Sequence, residues 1–323
     1  MSYGYTVREG WRDSYPETSG YIAPTFFRLG RQRDPSYLER AQRIVDWLLQ
    51  IQNADGSYCN PRFGRQGIVF DTGQVLFGLL CGHAQGGDPE VLEAARRASS
   101  WLCDVADDAL RWTRNEHLDT PHVYNTRTAW ALLRMNAIEP DARRAAVARA
   151  NLDWAVDSQR PSGFFEHCAF RAGGTPFTHT IAYTAEGLLE AGVLAGEPRW
   201  IDSARRAAEA ALCHLRDDGF LPSTISVDGR ARSSTCCLTG NCQLAIVWAR
   251  LHALDGDPRY REAACRALDY VMSTQDLHTP HDGVRGGIQG SRPIWGRYAP
   301  MAFPNWAAKF FVDAMSMRTA WGV

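Results

Sequence analysis

Asn125, Arg127, His179 and Tyr183 are polar side chains set in or just before apolar stretches. Burial of such groups costs free energy unless they gain partners or a task. Their types fit one reaction. Removal of a proton next to a sugar carboxylate requires that the carboxylate be neutralised, which the Asn125 amide and the Arg127 guanidinium can do. A base and an acid must also reach the ring. His179 and Tyr183 suit those tasks and, four residues apart, share one face of a helix. Carboxyl groups offer a second chemistry. Glycosidic hydrolysis uses two of them across the bond, and Glu17, Asp71, Glu166 and Glu186 supply several pairings. Structural roles compete: Asp71, Thr126 and Thr239 also suit helix caps, a lone helical histidine is often a satisfied structural residue, and Glu186 and Glu190 also suit pairing with arginines of the outer helices.

Glu17, Tyr21, Asp71, Gln74, Tyr124, Glu186, Asn241, Gln243 and Asn305 extend the set as candidates for binding substrate hydroxyls. Lys309 joins them for a different reason. It is the only lysine among 35 basic residues, and a compact ammonium binds differently from a guanidinium; an i,i+4 pair with Asp313 is the competing role. The Gly-rich segment from Asp276 to Arg297 reads as a lid, in which Trp295 and Tyr298 stack on a sugar while Arg285, Arg292 and Arg297 hold an anion; a merely structural cover for the ring fits it equally. Cys236, Cys237 and Cys242, or His278 and His281 with Asp282, raise the question of zinc. Their spacing lacks Cys-x-x-Cys, and adjacent cysteines chelate awkwardly. No metal and no cofactor is expected.

A repeat positions these groups. An acidic residue followed by proline recurs at Asp34-Pro35, Asp88-Pro89, Glu139-Pro140, Glu197-Pro198 and Asp257-Pro258, at spacings of 54, 51, 58 and 60 residues. An acidic cap before a proline at the first helical position is a sound helix start, because proline lacks an amide hydrogen that the first turn cannot use. Each mark predicts an amphipathic helix: 35–52, 89–106, 141–158, 198–215 and 258–274. Between them lie apolar segments starting near Ser19, Thr72, Thr126, Thr180, Thr239 and Asn305, whose Gly and Ala among large apolar residues suit helices buried on nearly all sides. Helical hairpins at such a period must stack to bury their faces. Closure into an all-α (α/α)6 toroid, six apolar helices inside and amphipathic ones outside, uses residues 1–323 as a single domain. The sixth outer helix is missing; residues 1–16 or the C-terminal end are the candidates to fill that gap. The inner-helix starts, with their polar residues, then meet at one end of the ring as a pocket.

Composition is consistent with this. The 323 residues are 45% hydrophobic and 22% charged, with 35 basic against 36 acidic side chains. That balance removes the electrostatic footprint of a nucleic-acid binder. The sequence contains no run of 18 apolar residues, so no membrane span is expected. The N-terminus lacks a signal-peptide pattern, and an odd count of nine cysteines fits reduced thiols in the cytoplasm.

The alternation of helix, Gln, Asp-Gly turn and inner helix resembles the α/α-toroid superfamily, which includes terpene cyclases, prenyltransferase β-subunits, lanthipeptide cyclases and sugar-active lyases, epimerases and hydrolases. Thr178-His-Thr-Ile-Ala-Tyr-Thr-Ala-Glu-Gly-Leu-Leu-Glu190 is similar to helices of the sugar-active members. Leu238-Thr-Gly-Asn-Cys-Gln-Leu-Ala-Ile-Val-Trp248 and Pro304-Asn-Trp-Ala-Ala-Lys-Phe-Phe311 resemble bacterial toroids of polysaccharide biosynthesis. The resemblance implies a lyase or 5-epimerase on an acidic saccharide, toroidal lyases being similar in using Asn, Arg, His and Tyr. A hydrolase, a cyclase of a non-sugar metabolite and a non-catalytic binding toroid are the alternatives. The protonating Asp-x-Asp-Asp of the cyclases is absent, Val69-Phe-Asp-Thr72 supplying one Asp.

Overall fold

A computed structural model describes residues 1–61, 64–231 and 233–321. Six apolar helices, α1 (Pro16–Gln32), α3 (Val69–Gly86), α5 (Thr126–Ile138), α7 (Thr178–Ala195), α9 (Leu238–Asp255) and α11 (Asn305–Thr319), alternate with five amphipathic ones. These are α2 (Ser36–Ile51), α4 (Pro89–Asp104), α6 (Ala142–Asp157), α8 (Pro198–Leu212) and α10 (Pro258–Ser273). Each inner helix packs on the next, and α11 returns to α1, so the ring closes. Each outer helix packs against the inner helix before it, so that only one of its faces is buried. The toroid expected from the repeat is the fold observed.

The acid–proline marks work through local geometry. Asp88 accepts the amide of Glu90 at 2.8 Å and Asp257 that of Arg259 at 2.9 Å, each with proline in the first turn. The third mark is displaced. Asp141, not Glu139, caps α6 by accepting from the Arg144 amide at 2.7 Å, and Glu139 instead pairs with Arg96 of α4. Upstream of three marks, Gly87, Gly196 and Gly256 end an inner helix in the left-handed conformation (φ 66°, 64° and 73°), so Gly-acid-Pro forms a compact inner-to-outer turn.

Tight spacing of the inner helices also depends on glycine. A Cβ at Gly187 of α7 would lie 2.5 Å from the Thr126 backbone of α5, and one at Gly20 of α1 would lie 2.4 Å from the Val75 Cα of α3. Among the described residues no helix fills the sixth outer place. The N-terminal residues form a hairpin instead, β1 (Gly4–Thr6) with β2 (Gly10–Trp11), and β1 also pairs antiparallel with β5 (Ala302–Pro304). Strands β3 (Cys236–Cys237) and β4 (Ser291–Arg292) pair beside it. Asn305 fastens the closure, its Nδ2 donating to the Ser2 carbonyl at 2.6 Å and the Thr18 hydroxyl at 2.9 Å. Inner-to-outer turns are short and outer-to-inner connections long, so the long connections gather where the inner helices begin. Among the described residues no helix is long and apolar enough to cross a membrane.

Candidate active site

A cavity of about 360 Å³ opens at that end. Of the sequence candidates, Glu17, Tyr21, Asp71, Tyr124, His179, Tyr183, Arg297 and Tyr298 line it. The first turns of α1, α3 and α7 supply Glu17, Asp71 and His179, so three helix starts aim acid–base groups at one space.

The two carboxyls are the least ordinary feature. Burial raises Glu17 to about 7, against the opposing pull of the Tyr15 and Tyr21 hydroxyls and of Arg127. Burial, with the charge of Glu17 as the next cause, holds Asp71 well above the usual carboxylate range, while the Tyr15 hydroxyl, 3.4 Å from its Oδ2, works the other way. Glu17 therefore ionises first, and its charge keeps the proton on Asp71. Burial drives His179 down to about 3, so its ring is neutral near pH 7. Its Nδ1 lies 2.6 Å from Gln243 Oε1, which fixes the proton on Nδ1 and leaves Nε2 bare. The imidazole packs 4.3 Å from the Tyr183 ring, centre to centre, and the Tyr183 hydroxyl has the Tyr21 hydroxyl as its hydrogen-bonding neighbour.

The remaining candidates do not line the cavity; most are committed to partners around it. Arg127 pairs with Glu186, donates from Nε to Gln74 Oε1 at 2.9 Å, and packs under Tyr183. Asn125 donates to Glu116 at 2.6 Å. Asn241 links Gly219 and Cys236, and Asn305 joins the ring ends. Lys309 makes the i,i+4 pair with Asp313 at 2.9 Å, with its ammonium 3.9 Å from the Phe310 ring centre. Trp295 is 71% exposed, and Glu166 pairs with Arg160. The nine cysteines are free, and Cys237 Sγ accepts the Gly240 amide at the start of α9. Among the described residues no group of three His, Cys, Asp or Glu side chains is arranged to hold a metal ion.

The sequence reading missed Tyr3, Tyr15, Asn60, Phe70, His117, Phe170, Phe177 and Trp306 in the wall. Most lie on connections leading into an inner helix; those connections are the long member of each repeat, which was the available signal. From the expected lid, Arg297 and Tyr298 reach the cavity, Tyr298 accepting the Trp306 indole N–H at 2.8 Å. Arg297 brings an exposed guanidinium to the mouth.

Ring and pocket together define an α/α toroid with an acid-lined, aromatic cavity at the start of its inner helices. The chain belongs to the squalene–hopene cyclase C-terminal domain family, matched over residues 16–187. No curated protein matches by sequence. Among solved structures it is similar to the unsaturated glucuronyl hydrolase of Bacillus sp. GL1 (TM-score 0.78, 16% identity, 100% of this chain and 92% of that one). A structure of such a hydrolase with dGlcA-Glc-Rha-Glc matches equally well, with TM-score 0.78, 16% identity and the same coverage of 100% and 92%. The cellobiose 2-epimerase of Bacillus thermoamylovorans follows at TM-score 0.75 and 11% identity, over 97% of this chain and 92% of that one. At these identities the likeness is one of fold.

Proposed function

We propose that this protein is a carbohydrate-active enzyme that hydrolyses an acidic saccharide by general acid–base catalysis. The observation that carries this reading is the pair of half-buried Glu17 and buried Asp71 in one cavity, with Glu17 raised to about 7. Asp71, holding its proton, donates to the departing sugar oxygen; Glu17, once ionised, takes a proton from the attacking water. Aromatic walls offer faces to sugar C–H groups, Tyr183 and His179 Nε2 meet hydroxyls, and Arg297 at the mouth answers a carboxylate. The structural neighbours named for glucuronyl hydrolysis and cellobiose epimerisation support a saccharide as the substrate class.

A second reading keeps the cavity and changes the reaction to proton abstraction beside the carboxylate, giving elimination or 5-epimerisation. What favours it is His179, neutral, held in one tautomer by Gln243 and packed at a tilt against the Tyr183 ring. In this version Arg297 rather than Arg127 or Asn125 faces the carboxylate.

Proton NMR of uronate-containing oligosaccharides in heavy water distinguishes them. New reducing ends that vanish in Glu17→Gln support hydrolysis. Deuterium at carbon 5, or an unsaturated uronate signal, transfers the assignment to proton abstraction. Silence on saccharides combined with turnover of a prenyl substrate overturns both in favour of a cyclase.

A further inference from the structure

Beside the first cavity lies a second of about 230 Å³, and the two share Asn60 and His117 in their walls. The first alone stands at the small end of ligand sites, which run from about 300 to 1,000 Å³. The second is built largely by residues 115–119, between α4 and α5, with Gln66, Gly67 and Ile68 opposite. Its backbone is strained: Asn115, Leu118 and Asp119 have φ of 58°, 57° and 51°, values that non-glycine residues rarely adopt. Asn115 holds this loop in place, donating to the Gly67 carbonyl at 3.1 Å and accepting the Val69 amide at 2.9 Å.

Glu116 is what the strained loop presents. It is 5% exposed and lines the second cavity. Asn125 Nδ2 donates to its Oε1 at 2.6 Å, whereas Oε2 has no partner. A buried unpaired carboxyl oxygen costs free energy that a ligand would recover. With Oε1 committed as an acceptor, and with burial pushing the group well above the carboxylate range, the proton belongs on Oε2. That hydroxyl can both donate to and accept from a sugar hydroxyl.

We propose that the second cavity is a subsite for the sugar unit adjoining the reacting one, with Glu116 recognising a hydroxyl of that unit. The substrate is then a disaccharide or longer chain rather than a single uronic acid. This inference rests on the saccharide reading above.

The test measures binding to the full chain carrying Glu17→Gln, so that ligands are not turned over. The probes are uronic acids, each as the free monosaccharide and as its disaccharide with glucose. The expected result is that one disaccharide binds about tenfold or more tightly than its uronic acid. Glu116→Leu removes that gain and leaves the monosaccharide affinity within about twofold, while Glu116→Gln, which still offers a donor beside an acceptor, retains it. Gln66→Trp, an exposed change that narrows the second cavity without touching a buried group, also removes the gain. Equal affinities for monosaccharide and disaccharide overturn the subsite while the saccharide reading stands. Equal weakening of both ligands by Glu116→Leu and Gln66→Trp does the same. Failure of every saccharide to bind overturns both.

Discussion

In the proposed hydrolysis, the titration of Glu17 links stability to activity in a way that one substitution exposes. The folded carboxyl releases its proton near 7 against an ordinary value of 4.5. The folded state thus carries an extra proton between about pH 4.5 and 7, and stability falls as pH rises through that window. The difference corresponds to up to about 3 kcal/mol. In Glu17→Gln this loss disappears, because the amide never ionises. The variant should be up to about 3 kcal/mol more stable than wild type at pH 8, relative to their difference at pH 4. For a chain of 323 residues, with an unfolding entropy of about 2.1 cal/mol/K per residue, that is roughly 4–5 °C in Tm. Thermal unfolding of both proteins from pH 4 to 8 measures it: Asp71, freed from the Glu17 charge, moves the difference in the same direction, and the remaining titrating groups are common to the two. Parallel curves would refute the assignment of Glu17 as the group that exchanges its proton near 7. Diverging curves would mean that the form with an ionised base is also the less stable form.

Three further outcomes are expected. The pH profile of kcat/KM should rise through about 7 as Glu17 ionises, and Glu17→Gln should lower turnover by about 10²–10⁴-fold and lose that limb. Arg127→Met leaves Glu186 buried without its partner and should cost about 3–5 kcal/mol in urea unfolding, most of it recovered when Glu186→Leu is added. Asn305→Ala should cost about 1–3 kcal/mol by freeing the Ser2 carbonyl and the Thr18 hydroxyl, read as a lower urea midpoint at unchanged slope.

The fold was legible because its signals are local. A glycine that ends one helix and an acidic residue and proline that start the next lie within three positions, and the marks at Asp88 and Asp257 act through bonds to amides two residues on. The site was legible only as a set of helix starts. Glu17, Asp71 and His179 face the cavity whereas Gln74, Arg127 and Glu186 pair with one another. That division depends on how each inner helix is rotated about its axis, which packing with both neighbours decides. Tyr3 and Tyr15 carried no signal at all. They reach the wall through a hairpin whose partner strand lies at Ala302–Pro304, far along the chain.

That pairing has a consequence for synthesis. The segment Gly4–Thr6 is made about 300 residues before its partner, Ala302–Pro304. At about 5–20 residues per second, roughly 15–60 s separate the two strands at the ribosome. Through that interval the β1 edge stands open, the seam between the first and last inner helices is exposed, and the pocket lacks part of its wall. The pocket is therefore completed late and all at once.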